Sequence, residues 1–360
     1  MPNKIFFTPG PSALYFTVEM HLKEALKQQV MEINHRSAQA EGYFKEAVGN
    51  LKMLMNIPED HSIVFLSSAT EIWERQLQNL VIENSHHFTY GAFSNRFYDF
   101  AKKLNLSPTQ SKSQFGALPD LDFDEIPEHT ELISMALNET STGVSFPAED
   151  IYQIRKERPD ALIAVDGVSA YPIIELDFSK VDSAYFSVQK CFGLPAGLGV
   201  WILSPRAIEK ANKKLSLGYS IGAYQAIPNL LKNAAKHQTT YTANVLDIFL
   251  LSRVTADMLE KGIDVIRREA NYKATLLQHT VERHPLLTHF VERKEIRSKT
   301  VTVANTSGPS EDLINSLSQQ GFMLGNGYGP YKGKQIRIAS FPTHSKEQIE
   351  LLVDTINKLD

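Results

Sequence analysis

Ala184-Tyr185-Phe186-Ser187-Val188-Gln189-Lys190-Cys191-Phe192-Gly193 is an apolar run that ends abruptly on a polar pair, Gln189-Lys190. A short loop punctuated by Gly193, Pro195, Gly197 and Gly199 follows, and then a second strand-like run, Val200-Trp201-Ile202-Leu203. Burying a lysine in such surroundings is costly unless its charge is paired or removed. The glycines let another backbone or a ligand come close. Upstream, Leu162-Ile163-Ala164-Val165-Asp166 reads as another buried strand, and it ends on a carboxylate. Taken singly, Lys190 is an ordinary strand-end lysine and Asp166-Gly167 an ordinary turn.

The same pattern repeats on either side. Residues 62–66 are β-branched and aromatic, end at Ser67-Ser68-Ala69-Thr70, and lead into a helix carrying Trp73, Leu77, Leu80 and Val81. Small residues at a strand-to-helix junction make an anion site, because free backbone N–H groups and the helix dipole both point at it. A short strand over residues 88–90 precedes Gly91-Ala92-Phe93-Ser94 and a helix through Phe97, Phe100, Ala101 and Leu104. Residues 132–137 form a buried strand ending at Asn138-Glu139-Thr140, and a helix over residues 148–157 leads to the Asp166 strand. Strands alternating with helices predict an α/β fold with a mainly parallel central sheet and helices on both faces. Ligands in such sheets bind beyond the carboxyl ends of the strands.

The rest of the chain is more helical. Thr8-Pro9-Gly10-Pro11 is a turn by composition, and helices are expected over residues 17–30 and 39–55, with His35-Arg36 between them. A helix over residues 205–215 and a polar stretch, 237–244, precede a long helix from 245 to 259, a break at Gly262 and another helix to 283. The remainder reads as strand (300–304), helix (310–319), glycine-rich loop (325–333), strand (335–340) and helix (346–359). The expected division is a large domain, 16–255, and a smaller α+β domain made of 1–15 and 256–360.

The 360 residues carry 37 basic and 41 acidic side chains, a formal charge of −4 with no run of like charge. Nucleic acid and anionic membranes are thereby disfavoured as partners. One cysteine leaves no internal disulfide and fits a reducing cytoplasm. The N-terminus lacks the apolar core of a signal peptide. No His-Glu-x-x-His or cysteine cluster indicates a metal, and no phosphate-binding Gly-x4-Gly-Lys-Ser/Thr is present.

An amine and an acid at the ends of two strands of one sheet are what pyridoxal 5′-phosphate requires. Lys190 would take the aldehyde, and Asp166 would keep the ring nitrogen protonated so that the ring can draw electrons. Five motifs in order, from Thr8-Pro9-Gly10-Pro11 to Arg337, resemble the class V aminotransferases of the fold-type I pyridoxal-phosphate enzymes, and most of all their phosphoserine aminotransferase branch. The resemblance implies that Ser68, Ala69 and Thr70 hold the cofactor phosphate with Gln189 and, from a second subunit, Thr242. It places Phe93 on the pyridine face and Thr140 at the phenolic oxygen. It assigns the substrate carboxylate to Arg337 and the distal group to His35 and Arg36. It also implies a homodimer with shared sites, acting on an amino acid and a 2-oxo acid.

The chain departs from that pattern in four places. Ala69 stands where glycine is usual, Phe93 where tryptophan is usual, Tyr241 where asparagine is usual before the threonine, and Pro330 and Tyr331 where a His-Arg pair is usual. The expected function is phosphoserine:2-oxoglutarate transamination, with alanine–glyoxylate or serine–pyruvate transamination as the alternative. A lyase such as a cysteine desulfurase needs a mobile cysteine on a late loop, and the only one here, Cys191, adjoins the lysine.

Overall fold

The computed structural model describes residues 4–359. Its central sheet has seven strands, in spatial order Ser62–Leu66, Gly199–Leu203, Ser183–Ser187, Leu162–Asp166, Leu132–Ala136, Asn84–Thr89 and Ser107–Lys112. Gly199–Leu203 runs antiparallel to both its neighbours, and every other pair is parallel. Strands covered on both faces need unbroken apolar runs rather than alternation. Leu162–Asp166 is accordingly buried at all five positions. Ile163 and Val165 enter one core with the helices Ala38–Met55, Ala148–Glu157 and Val245–Lys261. Leu162 and Ala164 enter the other, with the helices Ala69–Leu80, Ala92–Lys103, Pro205–Ser216 and Ile227–Ala234.

A five-stranded sheet lies in the order Ile5–Phe7, Phe322–Asn326, Gln335–Ala339, Val301–Thr306, Leu287–His289. It shares a third core with the helices Ile263–Arg283, Ser310–Gln319 and Lys346–Ile356. Helix Val245–Lys261 packs on Ala38–Met55, whereas Ile263–Arg283 packs on Lys346–Ile356 and on the five-stranded sheet. The chain changes from one set of layers to the other at Gly262, whose φ of +85° ends the first helix and starts the second. Among the described residues no helix is long and apolar enough to cross a membrane.

Several elements lie outside the sequence expectation. The strand expected over 88–90 runs from Asn84 to Thr89. Its two histidines are buried with their ring nitrogens satisfied, His86 by Thr109 and Ser111 and His87 by Ser85 and Ser134. The edge strand Ser107–Lys112 is polar apart from Pro108 and shows no apolar period. Ile5–Phe7 and Leu287–His289 are three residues long, too short for a periodic signal. Phe322–Asn326 contains Gly325, which placed part of it in a loop by composition. Helix Ile227–Ala234 was not expected; it is two turns long and starts on Ile-Pro.

The turn that carries Lys190 spans residues 188–198 between two antiparallel strands and is held from outside. The Gly193 N–H donates to the Lys190 carbonyl (2.9 Å), and the Gly193 carbonyl accepts from the Tyr15 N–H (2.8 Å). Gly193 has φ +61°, and a Cβ there would overlap the Thr343 methyl and the Tyr15 backbone. Gly218 also has a positive φ, +85°, but has nothing within 4 Å of a built Cβ. Gly193→Ala is therefore expected to destabilise the protein by about 2 kcal/mol or more, against about 1 for Gly218→Ala. Urea denaturation of the two variants measures the difference; equal losses would count against close packing at the turn.

Candidate active site

Gly10, Pro11, Ala69, Thr70, Trp73, Phe93, Ala136, Asn138, Thr140, Asp166, Val168, Ser187, Gln189 and Lys190 line one cavity of about 180 Å³ at the carboxyl ends of the central strands. Cavities of about 350 and 420 Å³ lie elsewhere, but neither contains a buried titratable side chain. Lys190 is 6% and Asp166 9% exposed. The Lys190 Nζ donates to Thr140 Oγ1 (2.7 Å) and sits 5.2 Å from the centroid of the Phe93 ring. Thr140 Oγ1 in turn donates a hydrogen bond to Ser169 Oγ (2.8 Å), which donates to the Asn138 carbonyl (2.9 Å). Burial pushes the Lys190 amine down to about 8, although Asp166 pulls it the other way. Burial likewise pushes the Asp166 carboxyl up to about 6, against the Val168 amide and the Lys190 charge. Both shifts favour neutral forms, as loss of hydration must.

The backbone around this pair is shaped for close approach. Gly10 has φ +147°, and a Cβ there would come within 2.8 Å of Lys190 Cε. Gly199 abuts the Ser68 backbone, 2.6 Å from a built Cβ to the Ser68 carbonyl carbon. Ser68 caps the helix Ala69–Leu80 by accepting from the Glu71 N–H (3.1 Å), and the Ala69 N–H donates to Ser187 Oγ (2.8 Å). The Thr70 N–H, at the same helix start, has no acceptor within the described chain. Asn138 Oδ1 is buried at the cavity and is likewise without a partner.

Arg337 comes from the five-stranded sheet and reaches this site. Its Nε donates to the Asn326 carbonyl (2.7 Å) and its Nη1 to the Thr140 carbonyl (3.3 Å). Its guanidinium carbon lies 5.3 Å from the centroid of the Tyr328 ring, and that ring lies 5.4 Å from Phe93. No carboxylate among the described residues pairs with it, and burial pushes its pKa down. A half-buried cation bonded only to carbonyls keeps donors that can take an anion.

Of the residues expected at a site, Ala69, Thr70, Phe93, Thr140, Asp166, Gln189 and Lys190 line the cavity, Ser68 caps the helix beside it, and Arg337 meets it through Thr140. Thr242, His35 and Arg36 do not line it. Thr242 is exposed ahead of helix Val245–Lys261, and Arg36 is exposed with its Nε on His35 Nε2 (3.2 Å). Two further residues belong to the site, although their sequence pattern marks one as helix core and the other only as a neighbour of Thr140. Trp73 Nε1 donates to Asp166 Oδ2 (3.3 Å). It sits three and four residues after Thr70 and Ala69, hence on their helix face, which is the signal that marks it. Glu139 is fully buried and accepts from the Ser94 N–H (2.9 Å) and Ser141 Oγ (2.6 Å), so its carboxylate sits at the start of helix Ala92–Lys103 and fixes Phe93.

An amine displaced toward neutrality, a buried acid and a helix start in one cavity can bind an aldehyde, a ring cation and a phosphate together. Comparison with known proteins points the same way. The profile of the family Aminotransferase class-V matches residues 7–331. A phosphoserine aminotransferase of Nocardioides is 27% identical over 98% of this chain and 94% of its own. The crystal structure of a phosphoserine aminotransferase from Cytophaga hutchinsonii is 45% identical over the whole of both chains, with a TM-score of 0.97. An alanine–glyoxylate aminotransferase from Nostoc shares the fold at 20% identity and a TM-score of 0.83, over 99% of this chain and 95% of that one.

The raised Asp166 pKa has a consequence for the cofactor-free protein. Its folded value, about 6, lies above its ordinary 3.8. Such a carboxyl contributes stability below pH 3.8, and that contribution is lost as pH rises through about 6. Asp166→Asn lacks the loss, so its stability relative to wild type should rise between pH 4 and 6.5, by up to about 3 kcal/mol, and then level off. Urea titrations across that range measure it; a difference independent of pH would overturn the assignment.

Proposed function

The chain belongs to the class V aminotransferases, and on that premise we propose that it moves the amino group of phosphoserine to 2-oxoglutarate. It is a pyridoxal-phosphate-dependent transaminase. The observation that carries the assignment of roles is the presence of Lys190 Nζ and the Asp166 carboxylate in one cavity. The cavity fits the cofactor on its donor set. Lys190 would bind its aldehyde and Asp166 its ring nitrogen. The Thr70 amide and Gln189 would hold its phosphate, with Ser68 and Ala69 shaping the helix start, and Asn138 or Thr140 its phenolic oxygen. When bound, pyridoxal phosphate supplies a carbonyl that exchanges for the amino group and a ring that takes up the electrons left at Cα.

The chain's own groups do the remaining work. Lys190, with a neutral form accessible near pH 8, takes the proton from the donor's Cα as a general base. Thr140 steers its Nζ by accepting a hydrogen bond. Asp166 would stay ionised against the cofactor's protonated ring nitrogen, and Phe93 covers one side of the cavity. Arg337 binds the substrate carboxylate through the donors that the Asn326 and Thr140 carbonyls leave free. Arg36 and His35 receive the distal phosphate. A reducing cytoplasm suits a chain whose only thiol is buried.

Alanine or serine with glyoxylate is the second reading. It is favoured by Pro330 and Tyr331, which bring no cation, and by a cavity lined by no basic side chain other than Lys190. A panel of amino donors decides between them. Phosphoserine with 2-oxoglutarate should exceed alanine with glyoxylate in kcat/KM, and Arg36→Ala should lower the phosphoserine value about tenfold or more while sparing alanine. The reverse order, with no selective loss at Arg36→Ala, would favour the second reading.

We further infer a homodimer with shared sites. Thr242 is exposed, and Phe16, Met20, Leu26, Met31 and Met53 leave large apolar side chains uncovered, between 51% and 65%. Subunits carrying Thr242→Ala mixed with subunits carrying Lys190→Ala test it. One site of each heterodimer would lack both defects, so the mixture should recover activity that neither homodimer has. Absence of recovery after demonstrated exchange of subunits would refute shared sites.

A further inference from the structure

Asp166 has two oxygens to place. Oδ1 accepts from the Val168 N–H two residues on (2.9 Å), a local bond that any aspartate in this turn can make. Among the described residues Oδ2 is held by one donor, the indole N–H of Trp73 at 3.3 Å. Indole is a donor and never an acceptor, so its bond is strongest to an ionised carboxylate. Trp73 is 3% exposed and its ring is set from behind. Phe97 stacks on it (centroids 5.8 Å, planes 24°), Phe100 meets it edge-on (5.7 Å, 84°), and the Arg96 guanidinium lies 5.9 Å from its centroid. A phenylalanine could fill the same space against these rings. What the indole adds is the N–H.

We propose that Trp73 is a positioning residue for the cofactor's ring nitrogen, acting through Asp166 by holding its carboxylate oriented and ionised. The inference rests on pyridoxal phosphate lying in the cavity with its ring nitrogen at Asp166. It gives the helix Ala69–Leu80 two tasks. Its first turn brings the free Thr70 amide to the cavity, and one turn later the same face brings the indole to the acid. Because both lie on one rigid helix, the spacing between phosphate holder and acid clamp is set by helix geometry rather than by loop conformation.

The test is the affinity of the apoprotein for pyridoxal phosphate and for its analogue with a ring C–H in place of the nitrogen, measured by equilibrium dialysis. Trp73→Phe should weaken pyridoxal phosphate about tenfold and the analogue less than twofold. In an Asp166→Ala background it should weaken neither cofactor further. Equal weakening of both cofactors, or the full tenfold loss in the Asp166→Ala background, would reduce Trp73 to packing. If wild type and Asp166→Ala themselves bind the two cofactors alike, the placement of the ring nitrogen at Asp166 fails, and the proposal with it. Should Trp73→Phe not melt cooperatively, Trp73→Leu is read by the same contrast between cofactors.

Discussion

An amine and a carboxyl group are buried together at the ends of two adjacent parallel strands without touching each other. Lys190 finds a hydroxyl, Thr140 Oγ1, and Asp166 finds two N–H groups. Opposite charges this deep would stabilise one another strongly in contact, yet here loss of hydration outweighs their attraction for both groups. The result is an amine and an acid that both titrate closer to neutrality than their kinds usually do. A ligand that bonds covalently to the amine and brings a cation to the acid relieves both penalties at once. With the cofactor placed as proposed, its binding and the relief of desolvation would be the same event.

Holding the pair apart requires support from distant parts of the chain. The turn that carries Lys190 is clasped by the N-terminal segment, through Tyr15 N–H to Gly193 and Ser12 N–H to the Gln189 carbonyl (3.3 Å). Behind Gly193 stands Thr343, in a loop held by a second buried lysine. Lys273 Nζ donates to the carbonyls of Phe341 and His344, both at 2.7 Å, and has no carboxylate of the described residues in hydrogen-bond reach. His344 Nε2 in turn meets the Phe6 carbonyl (2.8 Å) of the short N-terminal strand. The five-stranded sheet therefore does more than carry Arg337: its connections brace the lysine turn. Arg337 closes the circuit from the other side, through the Thr140 carbonyl to the residue that orients Lys190.

Much of this was legible in the chain. The unbroken apolar runs ending on Asp166 and near Lys190 specify strands covered on both faces, and alternation with helices specifies a parallel sheet, because both signals are local and periodic. Where periodicity is missing, the sequence carries no such signal. The polar edge strand Ser107–Lys112 buries only Ser111, so nothing in its pattern marks it. Thr242, His35 and Arg36 follow from resemblance alone, and the cavity that holds Lys190 and Asp166 does not include them.

Sequence by itself determined which residues end strands, and therefore which side chains stand at the carboxyl edge of the sheet. Strand period and the order of turns set this without reference to distant residues. Only the tertiary structure decided how those side chains are held. Trp73 reaches Asp166 across 93 positions, Thr140 reaches Lys190 across 50, and Arg337 reaches Thr140 across 197. Hydrogen bonds of that span have no periodic signature, because they depend on which elements pack together rather than on what any one of them is made of.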